Sequence, residues 1–122
     1  MLALPPTGPG RELPATTLEL RGVRATRASL ELRIFFDQEG AGPATPTEGN
    51  PRYAGSLFFY GHGDGAPLAA PMVLRLEVTE ALQARVAAGA SVAVTWVAVD
   101  NKGREIAAPE IAFDAMVLLA SD

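Results

Sequence analysis

The residues best equipped for chemistry fall in one stretch, "YAGSLFFYGHGDG" at positions 53–65. It holds the only histidine, His62, with Asp64 two positions on and Gly61, Gly63 and Gly65 around them. Two polar side chains so close in a glycine loop could reach one ion, which makes His62 and Asp64 the candidate metal ligands. Zinc sites gather several His, Cys or carboxylate ligands, and this pair alone is no complete set. The simpler reading of the glycines is a backbone that needs φ > 0 or close packing in a turn. His62 is then a polar turn residue, and no cofactor is expected. "GHGDG" also lacks the Lys-Ser/Thr of a phosphate loop, and proline-rich chain follows it instead of a helix.

Nucleophilic and acid–base chemistry find no better footing. Ser29, Ser56, Ser91 and Ser121 sit in no G-x-S-x-G elbow. Ser56 and His62 are separated along a strand and turn, a poor spacing for a hydrogen-bonded pair. Glu80, just after a Thr79 cap, is explained by the helix dipole, and Glu77 has no partner for proton transfer. No catalytic residues and no enzyme activity are expected.

The aromatics of the same stretch offer binding. Tyr53, Phe58, Phe59 and Tyr60 are half of all the aromatic residues. Strand alternation puts Leu57 and Phe59 on one face and Phe58 and Tyr60 on the other. One pair anchors a core; the other would form an exposed patch, a natural interface anchor, unless a helix or loop covers it. Tyr53 and Tyr60 beside a long loop would alternatively suit a small ligand or carbohydrate. Trp96, inside "VAVTWVAV", reads as core.

These residues must be positioned by strands. "TLELRGVR" (17–24) alternates Leu18 and Leu20 against Glu19 and Arg21. "ASLELRIFFD" (28–37) puts Leu30, Leu32, Ile34 and Phe36 on one face, and Glu31, Arg33 and Phe35 on the other. A period of two marks half-buried strands. Residues 38–52 carry several prolines and glycines and no large apolar side chain, so they form a long loop, either functional or mobile. Residues 53–61 form the aromatic strand and 61–71 a turn-rich connection. Residues 72–78 set Leu74, Leu76 and Val78 opposite Arg75 and Glu77. Thr79 reads as the N-cap of a short helix, "EALQARVAA", with Leu82 and Val86 on one side and Gly89 as its stop. "SVAVTWVAV" (91–99) is apolar on both faces, which suggests a central strand. "DNKGRE" reads as a hairpin turn, and 110–119 place Ile111, Phe113, Ala115 and Val117 on one face.

The expected fold is therefore all-β: an antiparallel β-sandwich or jelly-roll-like domain with one short helix. Residues 1–14, rich in Pro and Gly, read as a lead-in or linker remnant, and 15–122 as one domain.

Composition limits the partners. The chain has 122 residues, 48% of them hydrophobic, enough for one domain with a real core. Its net charge is −4. The N-terminal arginines are interleaved with Glu12, Glu19 and Glu31, as on a solvated strand face, so no nucleic-acid partner is expected. Without cysteine there are no disulfides, thiolate metal sites or thiol nucleophiles. No signal peptide is visible, which favours the cytoplasm. No apolar run approaches the ~20 residues of a membrane span. One lysine against nine arginines, together with abundant alanine, points to a GC-rich bacterial source.

Several segments together resemble a known family. "LELRIFFD", a Pro-rich loop, "NPRYAGSLFFYGHGD", "LRLEVTEAL" and "SVAVTWVAVD" are similar to the C-terminal β-sandwich domain of type 3 copper proteins: tyrosinases, plant polyphenol oxidases and molluscan haemocyanins. The matching positions are Ile34, Phe35 and Asp37, then Tyr53, Ala54, Gly55, Ser56, Leu57, Gly61 and Gly63. The resemblance covers roughly residues 17–119. The family's oxidase chemistry belongs to a copper pair held by six histidines on a helical bundle, which a chain with one histidine does not supply. The resemblance thus implies a non-catalytic accessory domain. It would pack on, shield, or help fold or load a tyrosinase-like oxidase core, in cis or in trans. In the family, a side chain from this domain can fill the substrate pocket as a placeholder; here that implies Leu57, Phe58, Phe59 or Tyr60. The alternatives are a sandwich that self-associates through its aromatic strand and a small-ligand or carbohydrate module.

Overall fold

Alternating segments become strands wherever one face finds a second sheet to bury against. A computed structural model of the chain describes residues 2–4, 12–25, 29–60, 72–85, 91–100, 102–105 and 111–120. Its strands are β1 (Leu2–Ala3), β2 (Thr16–Ala25), β3 (Ser29–Phe36), β4 (Tyr53–Tyr60), β5 (Met72–Glu77), β6 (Ser91–Val92), β7 (Val94–Val99), β8 (Ile111–Ala112) and β9 (Ala115–Ala120). A short helix, α1 (Thr79–Gln83), follows β5. All pairings are antiparallel. One sheet centres on β2, flanked by β5 on one side and by β8 and β9 on the other. The second runs β4-β3-β7, and β1 pairs with β6. The expected all-β sandwich is the fold that forms. No helix among the described residues is long and apolar enough to cross a membrane.

The core lies between the two central strands. Leu18, Leu20 and Val23 of β2 meet Leu30, Leu32, Ile34 and Phe36 of β3, with Leu13, Leu57, Val78, Leu82, Val92 and Ala98 closing the cluster. Fully burying such a side chain contributes about 1.5–3 kcal/mol, so this layer carries most of the folding drive. Phe35 points the other way. With Val97 and Val99 it forms a second, smaller cluster on the outer face of β4-β3-β7, covered by Tyr53 and Ala41.

That outer cluster corrects the expected place of "SVAVTWVAV". Among the described residues the segment is not a central strand, its far side making a single bridge, Val99 to Glu105. Ala93 separates β6, which pairs with β1, from β7, which pairs with β3 and ends the sheet among the described residues. Val97 and Val99 are apolar because the loop side of the sheet has its own core. Trp96 packs on the main core from the inner face, edge-on to Phe113 with ring centroids 5.6 Å apart.

Further expectations shift. Ala115 and Val117 do not share a face with Phe113. They pair with Arg21 and Glu19 on the outer side, while Met116 and Leu118 turn inward. The phase changes where Gly22 (φ +68°) and Asp114 meet: the Asp114 amide donates to the Arg21 carbonyl, and a Cβ at Gly22 would collide with the Asp114 carboxylate. Thr79, in turn, is not the N-cap. It is the first helical residue after Val78, and its hydroxyl oxygen accepts the Thr16 amide at 2.8 Å, fastening α1 to β2 instead. The helix spans Thr79–Gln83, shorter than expected; Val86 and Gly89 lie outside the described residues. The N-terminal lead-in also contributes structure, since β1 pairs with β6 and Leu2, Leu4 and Leu13 pack on the core.

Candidate functional site

β4 carries the stretch that the sequence singled out. Its register against β3 sets Leu57 opposite Leu32, Ser56 opposite Arg33 and Phe58 opposite Glu31. Leu57 is buried in the main core and is not a surface residue. Phe58 lies on the opposite face and is 56% exposed, the most exposed large hydrophobic side chain among those described. Phe59 and Tyr60 pair with Leu30 and Ser29 through the backbone. Gly61, His62, Gly63 and Asp64 lie outside the described residues. Among the described residues, no group of three or more His, Cys, Asp or Glu side chains is placed to hold a metal ion.

The outer face beside Phe58 is polar and tightly cross-linked. The Ser56 hydroxyl donates to Glu31 Oε2 at 2.6 Å, and the Tyr53 and Ser56 hydroxyls share a short hydrogen bond. Arg33 reaches Glu31 as an ion pair at 3.3 Å and donates to the Pro43 carbonyl at 3.1 Å. The Tyr53 ring rests against Phe35 at 5.5 Å. These groups bond one another and the loop, with Arg33 Nε the one buried side-chain nitrogen among the described residues left without a hydrogen bond. The arrangement ties β4 to β3 and pulls the 38–52 loop over the sheet; it presents no activated nucleophile.

Gly55 does a different job. Ala54 is the extra residue in a bulge between Ile34 and Phe35, and Gly55 follows at φ +134°. A Cβ there would stand 3.1 Å from Leu76 Cδ1. The "YAGS" motif thus lets the edge of one sheet approach the other, which only glycine permits at that φ.

Asp37, in the sequence only a position shared with the resembled family, becomes a structural junction in the fold. At φ +55° it ends β3. Its Oδ1 accepts the Ala93 amide and its Oδ2 pairs with Arg85 Nε, each at 2.9 Å, while its carbonyl accepts Arg52. One residue thereby links β3, the loop, the end of α1 and the start of β7. The Ala93 amide, and then Arg85, hold its carboxyl below the ordinary value. An Asp directly before a Gln-Glu-Gly turn was the available signal, since Asp tolerates φ > 0 better than most residues.

The 38–52 loop is built by its own polar residues. Asn50 donates to Gln38 Oε1 and the Pro46 carbonyl and accepts from the Arg52 amide. Where this loop rejoins β4, Pro51, Tyr53 and Ala54 form one wall of an open groove of 330 Å³; Glu77, Glu80 and Ala84 line the other.

No family model matches the sequence, and no curated protein matches it. Among solved structures, a latent aurone synthase (polyphenol oxidase) from its natural source has the same fold over 97% of this chain, with a TM-score of 0.62 and 15% identity. The recombinantly expressed latent aurone synthase, co-crystallised with hexatungstotellurate(VI) and soaked in H2O2, matches over 97% of this chain at a TM-score of 0.59 and 15% identity. In both, the chain spans 23% of the other protein's length. At that identity the likeness is one of fold: nearly all of this chain corresponds to a fraction of a polyphenol oxidase.

Proposed function

We propose that this chain is a non-catalytic accessory domain that packs on a tyrosinase-like type 3 copper oxidase core, shielding it or helping it fold or load copper. One observation carries the reading: 97% of the chain overlays on 23% of a polyphenol oxidase described as latent. The "YAGSLFFYGHG" motif supports it independently, because its resemblance rests on residues and the overlay rests on backbone. Phe58 is the described residue best placed to meet such a core. It projects from a face whose neighbours are locked by the Tyr53–Ser56–Glu31–Arg33 network, so little side-chain entropy is lost around it on docking. Leu57 is withdrawn from this role by its burial.

The test is inhibition in trans. The purified chain, added to a type 3 copper oxidase core from the same or a neighbouring gene, should bind it and slow diphenol oxidation. Phe58→Ala should relieve the inhibition at least tenfold in the concentration required, as expected for a central aromatic anchor worth about 1.4 kcal/mol or more. No binding to any such core would overturn the proposal.

A further inference from the structure

β5 ends its sheet. One edge is zipped to β2 from Thr17↔Glu77 to Val23↔Met72, and among the described residues no backbone hydrogen bond reaches the other edge. Leu74 and Leu76 face the core but are only partly buried, and Val73 is 49% exposed. An open edge of this kind is a template for another strand. Natural edges are often guarded by charged side chains or proline; "MVLRLE" has no proline, and its charges are one of each sign, Arg75 and Glu77.

We propose that this edge pairs antiparallel with the same edge of a second copy, about a two-fold axis at Leu76. A two-fold axis that continues the sheet keeps inward residues opposite inward residues, so the axis must fall on a residue. Centred on Arg75, it would stack Arg75 against its own copy, which is unfavourable. Centred on Leu74, it would set Val73 against an arginine. Centred on Leu76, it sets Arg75 against Glu77 of the partner subunit and Glu77 against Arg75 of the partner subunit, with Leu76 meeting its own copy. Two opposite-charge pairs then fall directly across the junction, an isologous and closed arrangement.

The side chains have capacity for these contacts. Arg75 binds Glu19 through Nε, and no described residue takes up its terminal nitrogens. Glu77 Oε1 accepts the Thr79 amide at 2.9 Å, and the residue stays exposed at the end of the strand. The edge belongs to the sheet that lacks Phe58, so this contact is independent of docking to an oxidase core.

Sedimentation velocity over a wide concentration range tests the inference on the full chain. A reversible monomer–dimer equilibrium is expected. Glu77→Arg should raise the dimer dissociation constant about tenfold or more, since it replaces two attractive pairs with two repulsive ones. The exchange Arg75→Glu with Glu77→Arg should restore dimerisation. Glu77→Gln, which keeps an acceptor for the Thr79 amide, should weaken it less. Circular dichroism and Trp96 fluorescence confirm that each variant is folded. A wild-type chain that stays monomeric throughout, a folded Glu77→Arg variant that dimerises normally, or a dimer abolished by Phe58→Ala instead would each overturn the proposal. None of these outcomes bears on whether an oxidase core is bound.

Discussion

At the scale of single residues, Asp37 joins several elements at once. Its carboxylate joins an amide of one segment to a guanidinium of another at 2.9 Å each, and its backbone occupies a region that costs most residues energy. Because its folded pKa is lowered, the stability it supplies is complete above the ordinary carboxylate value. That stability drains away as pH falls through the lower folded value. Asp37→Asn keeps the tolerance of φ > 0 and one acceptor oxygen, but loses the charge opposite Arg85. We expect it to cost about 1–2 kcal/mol at neutral pH, and the gap to the parent to narrow as pH falls below the ordinary carboxylate value. Urea denaturation at about pH 7 and about pH 3 measures both. A constant gap would mean that the charge is unimportant. Glu19 belongs to the same scale. It is nearly buried under Arg21 and Arg75, and the hydrogen bond from Arg21 leads in lowering its pKa.

At the scale of elements, the bulges decide which side chains meet. The β4 bulge lets Tyr53 pair with Phe35 on the outer cluster while Leu57, beyond the extra residue, stays in the core. Gly55 sits at the hinge of that switch, against Leu76. Gly55→Ala meets both a disfavoured φ and a contact that Leu76 must yield to by a few tenths of an ångström. It should destabilise by about 1–3 kcal/mol, read as a lower midpoint in thermal or urea unfolding. Pairing it with Leu76→Ala, which removes the obstructing methyls, should be less than additive. The residue patterns of β2, β3 and β5 were legible, because a half-buried strand must alternate. The phase change at Gly22 and Asp114 was not. It depends on two strands far apart in sequence accommodating each other, and neither shows it alone. α1 is legible as a helix, but Val78 and not Thr79 stands at its N-cap, because the Thr79 hydroxyl takes its partner across the chain, in Thr16.

At the scale of the whole molecule, the sandwich is closed by pieces that look peripheral in the sequence. Leu2 and Leu4 pack on the core, and β1 continues onto β6 at Leu2↔Val92. Leu2→Ala with Leu4→Ala should together lower the melting temperature by several degrees, at about 1–2 kcal/mol per partly buried leucine. Differential scanning calorimetry would show it, and an unchanged midpoint would mean that the segment adds nothing to the core. The long loop earns its place in the same way: Arg33 holds Pro43, and Ala41 caps Phe35.

The sequence by itself determined the all-β class, the inward faces of the two central strands, the Asp100 turn and the lack of cysteine chemistry. Each is local or compositional: alternation, a turn residue whose side chain bonds the amides two and four positions on, or a simple absence. It also pointed to β4 as the strand of interest. Only the tertiary structure decided that Leu57 is core and Phe58 surface, that Asp37 is a four-way junction and that, among the described residues, β7 and β5 are the outer strands of their sheets. Those properties arise from which distant segments come together and in what phase. A one-residue bulge reverses every face beyond it, and the alternation on either side looks the same with or without it.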